Sequence, residues 1–136
     1  MRNLAIGLVS ALALAAVVIY SKGVGTDKTS VEAGKPVVMP ELTGVLLTGQ
    51  AAYQAKCSAC HGVDLSGADQ KGPPLVHKYY EPNHHGDAAF VSAIRVGAPA
   101  HHWKFGDMPP VEGMGEADIA AVVAFIRAVQ KANGVF

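Results

Sequence analysis

Charge, cysteine and aromatic residues are all scarce in this chain. Its 136 residues include two cysteines and one tryptophan, with 7% aromatics and 16% charged residues that sum to a formal net charge of zero. From Thr43 onward seven Lys and Arg stand against eight Asp and Glu. No basic excess is available to neutralise phosphates, so nucleic-acid binding has no support. No ring of lysines is present to steer acidic partners either. Alternating apolar and polar residues, the mark of a half-buried strand, do not recur, and no segment repeats. The expected fold is therefore all-α.

The two cysteines stand together in Cys57-Ser58-Ala59-Cys60-His61. Cys-x-x-Cys-His is the attachment signature of a c-type haem. Two thiols stand close enough to reach the two vinyl groups of one porphyrin, and the imidazole that follows sits under its iron. Three other readings are weaker. Zinc would want four clustered ligands, and there is no second Cys-x-x-Cys pair. A thioredoxin-like dithiol would need a strand before the motif, and a disulfide would leave the adjacent His61 unexplained.

The amino-terminal segment reads as a targeting element. Arg2 precedes an uncharged run from Leu4 to Tyr20, slightly long for a cleavable signal and just long enough to cross a bilayer. Small-x-small triplets at Ala11–Ala13 and Ala13–Ala15 offer cleavage sites, but Val17-Val18-Ile19-Tyr20 would become a greasy new terminus. Residues 1–22 are thus expected to be an uncleaved signal anchor, with a removed signal peptide as the alternative. Arg2 would stay in the cytoplasm and the rest of the chain would be exported, an orientation that Lys22 opposes. Residues 23–42, with Pro36 and Pro40 and no apolar stripe, are expected to form a flexible linker. Fully extended, it would reach roughly 70 Å. The alternative is that Val37-Val38-Met39 packs on the domain downstream.

Residues 43–136 form the globular part. Gly49, Tyr53 and Cys57 recur at four-residue spacing on one helical face leading to the motif. A second helix is expected over Asp87–Val96, ended by Gly97 and Pro99. A third is expected from about Glu116 to Ala132, with Ile119, Val122, Val123, Ile126 and Val129 as the buried stripe. Glu116 and Asp118 in its first turn, and Arg127 and Lys131 near its end, suit the helix dipole. Gly134 suits its stop. So small a domain buries little apolar surface by itself, and a covalently held porphyrin would serve as an apolar body to pack around.

In order along the chain stand Gly49 and Tyr53, Cys57 to His61, Gly72-Pro73-Pro74-Leu75, Met108-Pro109-Pro110, and Phe125 in the last helix. This order resembles the class I monohaem cytochromes c over nearly all of the globular part. The resemblance implies one covalently attached haem c, with His61 as the proximal iron ligand. It implies that the Pro73 carbonyl accepts from the other ring nitrogen and that Leu75 packs on the porphyrin. For the sixth ligand the candidates are Met108, Met114, and the histidines His77, His84, His85, His101 and His102. Met108, stiffened by two prolines and matching the family's Met-Pro, is preferred; Met114 reads better as a core contact. A His/Met pair raises the reduction potential relative to two histidines, and with both axial positions filled the iron can only exchange an electron. Trp103 and Phe105 are expected to wall the pocket, with Trp103, Tyr79 or Tyr80 bonded to a propionate.

The pairs His84-His85 and His101-His102 depart from the family pattern. They are expected to be surface histidines without chemistry, the alternatives being a copper or zinc site, a propionate contact, or a pH-sensitive docking surface. The resemblance implies a non-enzymatic one-electron carrier on the periplasmic face of the cytoplasmic membrane. Its donor would be a quinol-oxidising complex or a dehydrogenase, and its acceptor a terminal oxidase. Alternatives are a haem subunit fixed in a membrane oxidoreductase complex, and a sensor or enzyme with an open sixth site.

Overall fold

The computed structural model describes residues 36–136. In chain order it contains α1 (Val45–Lys56), α2 (Ser58–His61), α3 (Asp87–Val96) and α4 (Glu116–Ala132), with a 3-10 turn at Lys78–Tyr80 between α2 and α3. Among the described residues there is no strand, only isolated bridges joining Ala68 to Gly72 and Ala98 to Met108. The expected anchor at 1–22 and most of the expected linker lie outside the described residues.

Helix α4 buries a wider band than the five-residue stripe its sequence suggests. Ala121, Phe125 and Gln130 are buried beside Ile119, Val122, Val123, Ile126 and Val129. Its start is held by Asp118, whose carboxylate accepts the Gly115 N–H at 3.2 Å, and Glu116 adds a second negative charge at the positive end of the helix.

α1 meets α4 at Gly49. A Cβ there would lie 2.0 Å from the Ala121 carbonyl oxygen and 2.8 Å from the Phe125 Cβ, so only glycine lets the two backbones approach this closely. One turn on, Tyr53 and Phe125, both fully buried, pack with ring centroids 5.5 Å apart and planes at 55°. The Tyr53 hydroxyl donates to the Gly62 carbonyl at 2.7 Å. Burial, reinforced by the negative charges that Cys57 and Asp64 would carry, pushes that phenol well above its ordinary range and keeps it a donor. One tyrosine thus joins the helix pair to the turn just after His61.

Two features correct the expectations. Residues 36–42, read as the end of the linker, lie against the domain. Asn133 accepts the Val38 N–H and donates to the Val38 carbonyl, each at 2.8 Å, and Val37 and Leu42 pack against the core. The domain therefore begins upstream of Thr43. A side-chain amide that pairs with both polar groups of one distant residue leaves no periodic trace in sequence.

Arg127, in turn, is more than a charge near a helix end. Its guanidinium donates to Asp87 Oδ1 at 2.7 Å, to the Tyr80 carbonyl at 2.6 Å, to Gln130 Oε1 at 2.7 Å and to the His85 carbonyl at 2.5 Å. It also lies over the Phe90 ring, 4.7 Å from its centroid. Gln130, fully buried, passes the tie on by donating to the Leu75 carbonyl at 2.7 Å.

Gly49→Ala is expected to destabilise the haem-loaded protein by about 2–3 kcal/mol through overpacking against backbone. Arg127→Lys, which keeps the charge but loses the planar fork, is expected to cost about 1–3 kcal/mol by stranding the Tyr80 and His85 carbonyls. Guanidinium denaturation midpoints measure both.

Candidate functional site

A cavity of about 340 Å³ opens between α3, α4 and the loops around them. Of the residues singled out from sequence, Cys57, His61, Pro73, Leu75, Trp103 and Met108 all line it. Cys60 does not; it is exposed.

His61 ends the single turn of α2, which Gly62 with its positive φ of 80° terminates, and lines the cavity. Its Nδ1 lies 2.9 Å from the Pro73 carbonyl oxygen. A carbonyl can only accept, so Nδ1 carries the proton and the neutral ring keeps its lone pair on Nε2. Burial lowers the His61 pKa, and the Pro73 bond only partly opposes it. The ring therefore stays neutral and able to ligate a metal. The Pro73 loop comes this near because Gly72 lies on the backbone of Cys60. A Cβ on Gly72 would fall 2.6 Å from the Cys60 carbonyl oxygen.

Burial, with Cys60 nearby as a lesser cause, pushes the Cys57 thiol up to about 11. A redox-active dithiol uses the opposite shift.

Met108 is held through its backbone. Met108 N–H donates to the Ala98 carbonyl at 2.8 Å and Ala98 N–H donates back at 3.0 Å, while Val111 N–H reaches the Ile94 carbonyl at 2.8 Å. The Met-Pro-Pro segment is thereby fastened to the end of α3. Gly97, which caps α3 with φ +80°, makes the fit feasible: a Cβ there would lie 2.5 Å from the Met108 carbonyl oxygen. Met114 packs on the core instead.

The Trp103 indole N–H is buried and makes no hydrogen bond of proper geometry. The Tyr80 hydroxyl beside it feels the indole, which offsets some of the upward push that burial gives the Tyr80 pKa. A buried donor whose neighbouring hydroxyl is poorly aligned is open to a better acceptor, and an anionic group reaching into the cavity would supply one.

A family model described as Cytochrome c matches residues 46–130. The chain belongs to the cytochrome c family. No curated protein matches it significantly. A cytochrome c binds haem covalently and works in haem-based electron transfer. The cavity of this cytochrome c fits that group: a neutral imidazole, a thioether and a thiol border one apolar space, with an unsatisfied indole donor at its wall.

Sequence reading missed the supports of the site: Arg127, Gln130 and the Ala98–Met108 bridge. The one available signal was two polar residues, Arg127 and Gln130, three apart on a helix whose neighbours are apolar.

Gly97→Ala is expected to lower stability by at least about 2 kcal/mol, since it adds left-handed strain to a clash with the Met108 backbone. Gly106 also has a positive φ, +87°, but nothing lies within 4 Å of its absent Cβ. Gly106→Ala should cost only the about 1–2 kcal/mol of the backbone conformation. Thermal midpoints of the two haem-loaded variants, compared with the parent, check the difference.

Proposed function

We propose that this cytochrome c is an exported one-electron carrier whose haem is attached through Cys57 and Cys60 and ligated by His61 and Met108. The observation that carries the reading is that one cavity receives both candidate ligands from separately braced loops. His61 is oriented by the Pro73 carbonyl, and Met108 is held by its two hydrogen bonds to Ala98. When bound, the haem supplies an iron that alternates between the ferrous and ferric states.

The remaining work belongs to the chain. Nδ1–H of His61, bonded to Pro73, keeps Nε2 aimed as a ligand and raises its basicity. Met108 presents a soft, neutral sulfur, which favours the ferrous state and a raised potential. Leu75 and Ile94, both buried, line the cavity and keep water from it. Trp103, with its buried indole N–H, would donate to a propionate of the bound group. With His61 and Met108 both holding the iron, no coordination position would be left for a substrate and electron exchange would be the whole activity.

The uncharged run from Leu4 to Tyr20 supports export and a tether to the periplasmic face of the cytoplasmic membrane. A tether would raise the local concentration near membrane-bound partners, a quinol-oxidising complex or dehydrogenase as donor and a terminal oxidase as acceptor. With seven basic residues against eight acidic ones beyond Thr43, docking would rest on an apolar patch with little electrostatic steering.

The test is protein made beside a working haem-attachment system. Its intact mass should exceed that of its amino acids by one haem, and its oxidised spectrum should show the weak long-wavelength sulfur-to-iron band. Met108→Ala should remove that band and lower the midpoint potential by on the order of 100 mV. Survival of the band would transfer the ligand role elsewhere, and carbon monoxide binding to the reduced parent protein would favour an open-site sensor or enzyme.

A further inference from the structure

Four histidines from two loops converge beside the cavity. His84 and His85 follow the 3-10 turn, and His101 and His102 lie between α3 and Met108. His84 Nε2 stands 3.0 Å from His102 Nε2, and His85 Nε2 stands 3.2 Å from His101 Nε2. The rings of His101 and His102 are 4.4 Å apart by centroid, those of His84 and His85 4.5 Å, and those of His85 and His102 5.2 Å. His84, His85 and His102 each bring a nitrogen within 4.8 Å of the other two.

The protons decide what such a cluster can do. His85 Nδ1 lies 2.6 Å from the Tyr79 carbonyl oxygen, and His101 Nδ1 lies 2.8 Å from the Pro99 carbonyl oxygen. Both acceptors are carbonyls, so both Nδ1 atoms carry protons, and in the neutral rings both Nε2 atoms carry lone pairs. Two lone pairs then face each other across 3.2 Å with no hydrogen between them. Neutral imidazoles repel in that arrangement; a shared cation removes the repulsion. Nδ1–H bonded to a backbone carbonyl, with Nε2 free, is also how a metal-binding histidine is set up. Two Zn–N bonds of about 2.0–2.1 Å at the tetrahedral angle place their nitrogens roughly 3.3 Å apart, close to both spacings observed here.

The loops are braced independently of any ion. The His85 carbonyl is held by Arg127, and the second loop is closed by the Ala98–Met108 bridge and by Ala100 N–H donating to Asp107 Oδ1 at 2.8 Å.

We propose that His84, His85, His101 and His102 bind one divalent late-transition-metal ion, Zn²⁺ or Cu²⁺, through their imidazole nitrogens. An all-imidazole set suits these ions and offers nothing to the harder Mg²⁺ or Ca²⁺. The site uses neither His61 nor Met108, and it rests on the haem ligation proposed above in one respect: none of the four histidines is the sixth iron ligand.

The experiment uses the full-length, tag-free, haem-loaded protein, stripped with chelator and then titrated with Zn²⁺ and with Cu²⁺ against a chromophoric competitor. One saturable ion per chain beyond the haem iron is expected. His84→Asn and His101→Asn should each weaken it by at least the roughly 10- to 100-fold that loss of a supporting hydrogen bond alone costs. His84 does not line the haem cavity, so a retained haem spectrum in His84→Asn shows that the variant has folded. Absence of saturable binding by either ion overturns the proposal, as does affinity within threefold of the parent in both variants.

Discussion

The contact between Gly49 and the Ala121 carbonyl sets the distance between the first and last helices, and most of the domain follows from that distance. Because the backbones nearly touch, Tyr53 and Phe125 can pack on each other just beyond the crossing. The Tyr53 hydroxyl then reaches the Gly62 carbonyl and fixes the turn from which His61 projects. A wider crossing would part the rings and leave a buried hydroxyl without an acceptor, a more serious loss than the missing van der Waals contact alone. Apolar burial brings α1 and α4 together, and one hydrogen bond converts that packing into a position for an imidazole.

The cavity is built from loops, and each loop is stiffened by backbone carbonyls. Pro73 fixes the tautomer of His61; Tyr79 and Pro99 fix those of His85 and His101. The same device, a ring N–H given to a carbonyl so that the opposite nitrogen keeps its lone pair, thus occurs three times around one apolar space. Arg127 supports one of these loops by gathering the Tyr80 and His85 carbonyls, and Gln130 ties another at Leu75. A single face of α4 therefore carries the core on its apolar side chains and the geometry of the cavity on two polar ones.

Much of this was legible from residue order. The helices at Asp87–Val96 and Glu116–Ala132 stand where their apolar periodicity and glycine stops put them, and Cys57, His61, Pro73, Leu75, Trp103 and Met108 meet at one cavity. The segment 36–42 was misjudged because what holds it is one amide 95 residues away, and no local pattern encodes such a tie. That the two histidine pairs meet was not legible for the same reason. Each pair is local, and only the folding of two loops brings His84 to His102 and His85 to His101.

Local chemistry written along the chain determined the class of the protein: a thiol pair with its adjacent imidazole, helices whose apolar period matches their turn, and prolines and glycines that end them. Those features act over a few residues, so sequence order is enough to express them. Tertiary structure alone decided which nitrogens of His85 and His101 keep their lone pairs, which carbonyls Arg127 collects, and that Met108 is moored to Ala98. Each of these depends on groups brought within about 3 Å by packing between distant segments, and hydrogen-bond energy falls away so steeply with distance and angle that nothing short of the folded chain specifies it.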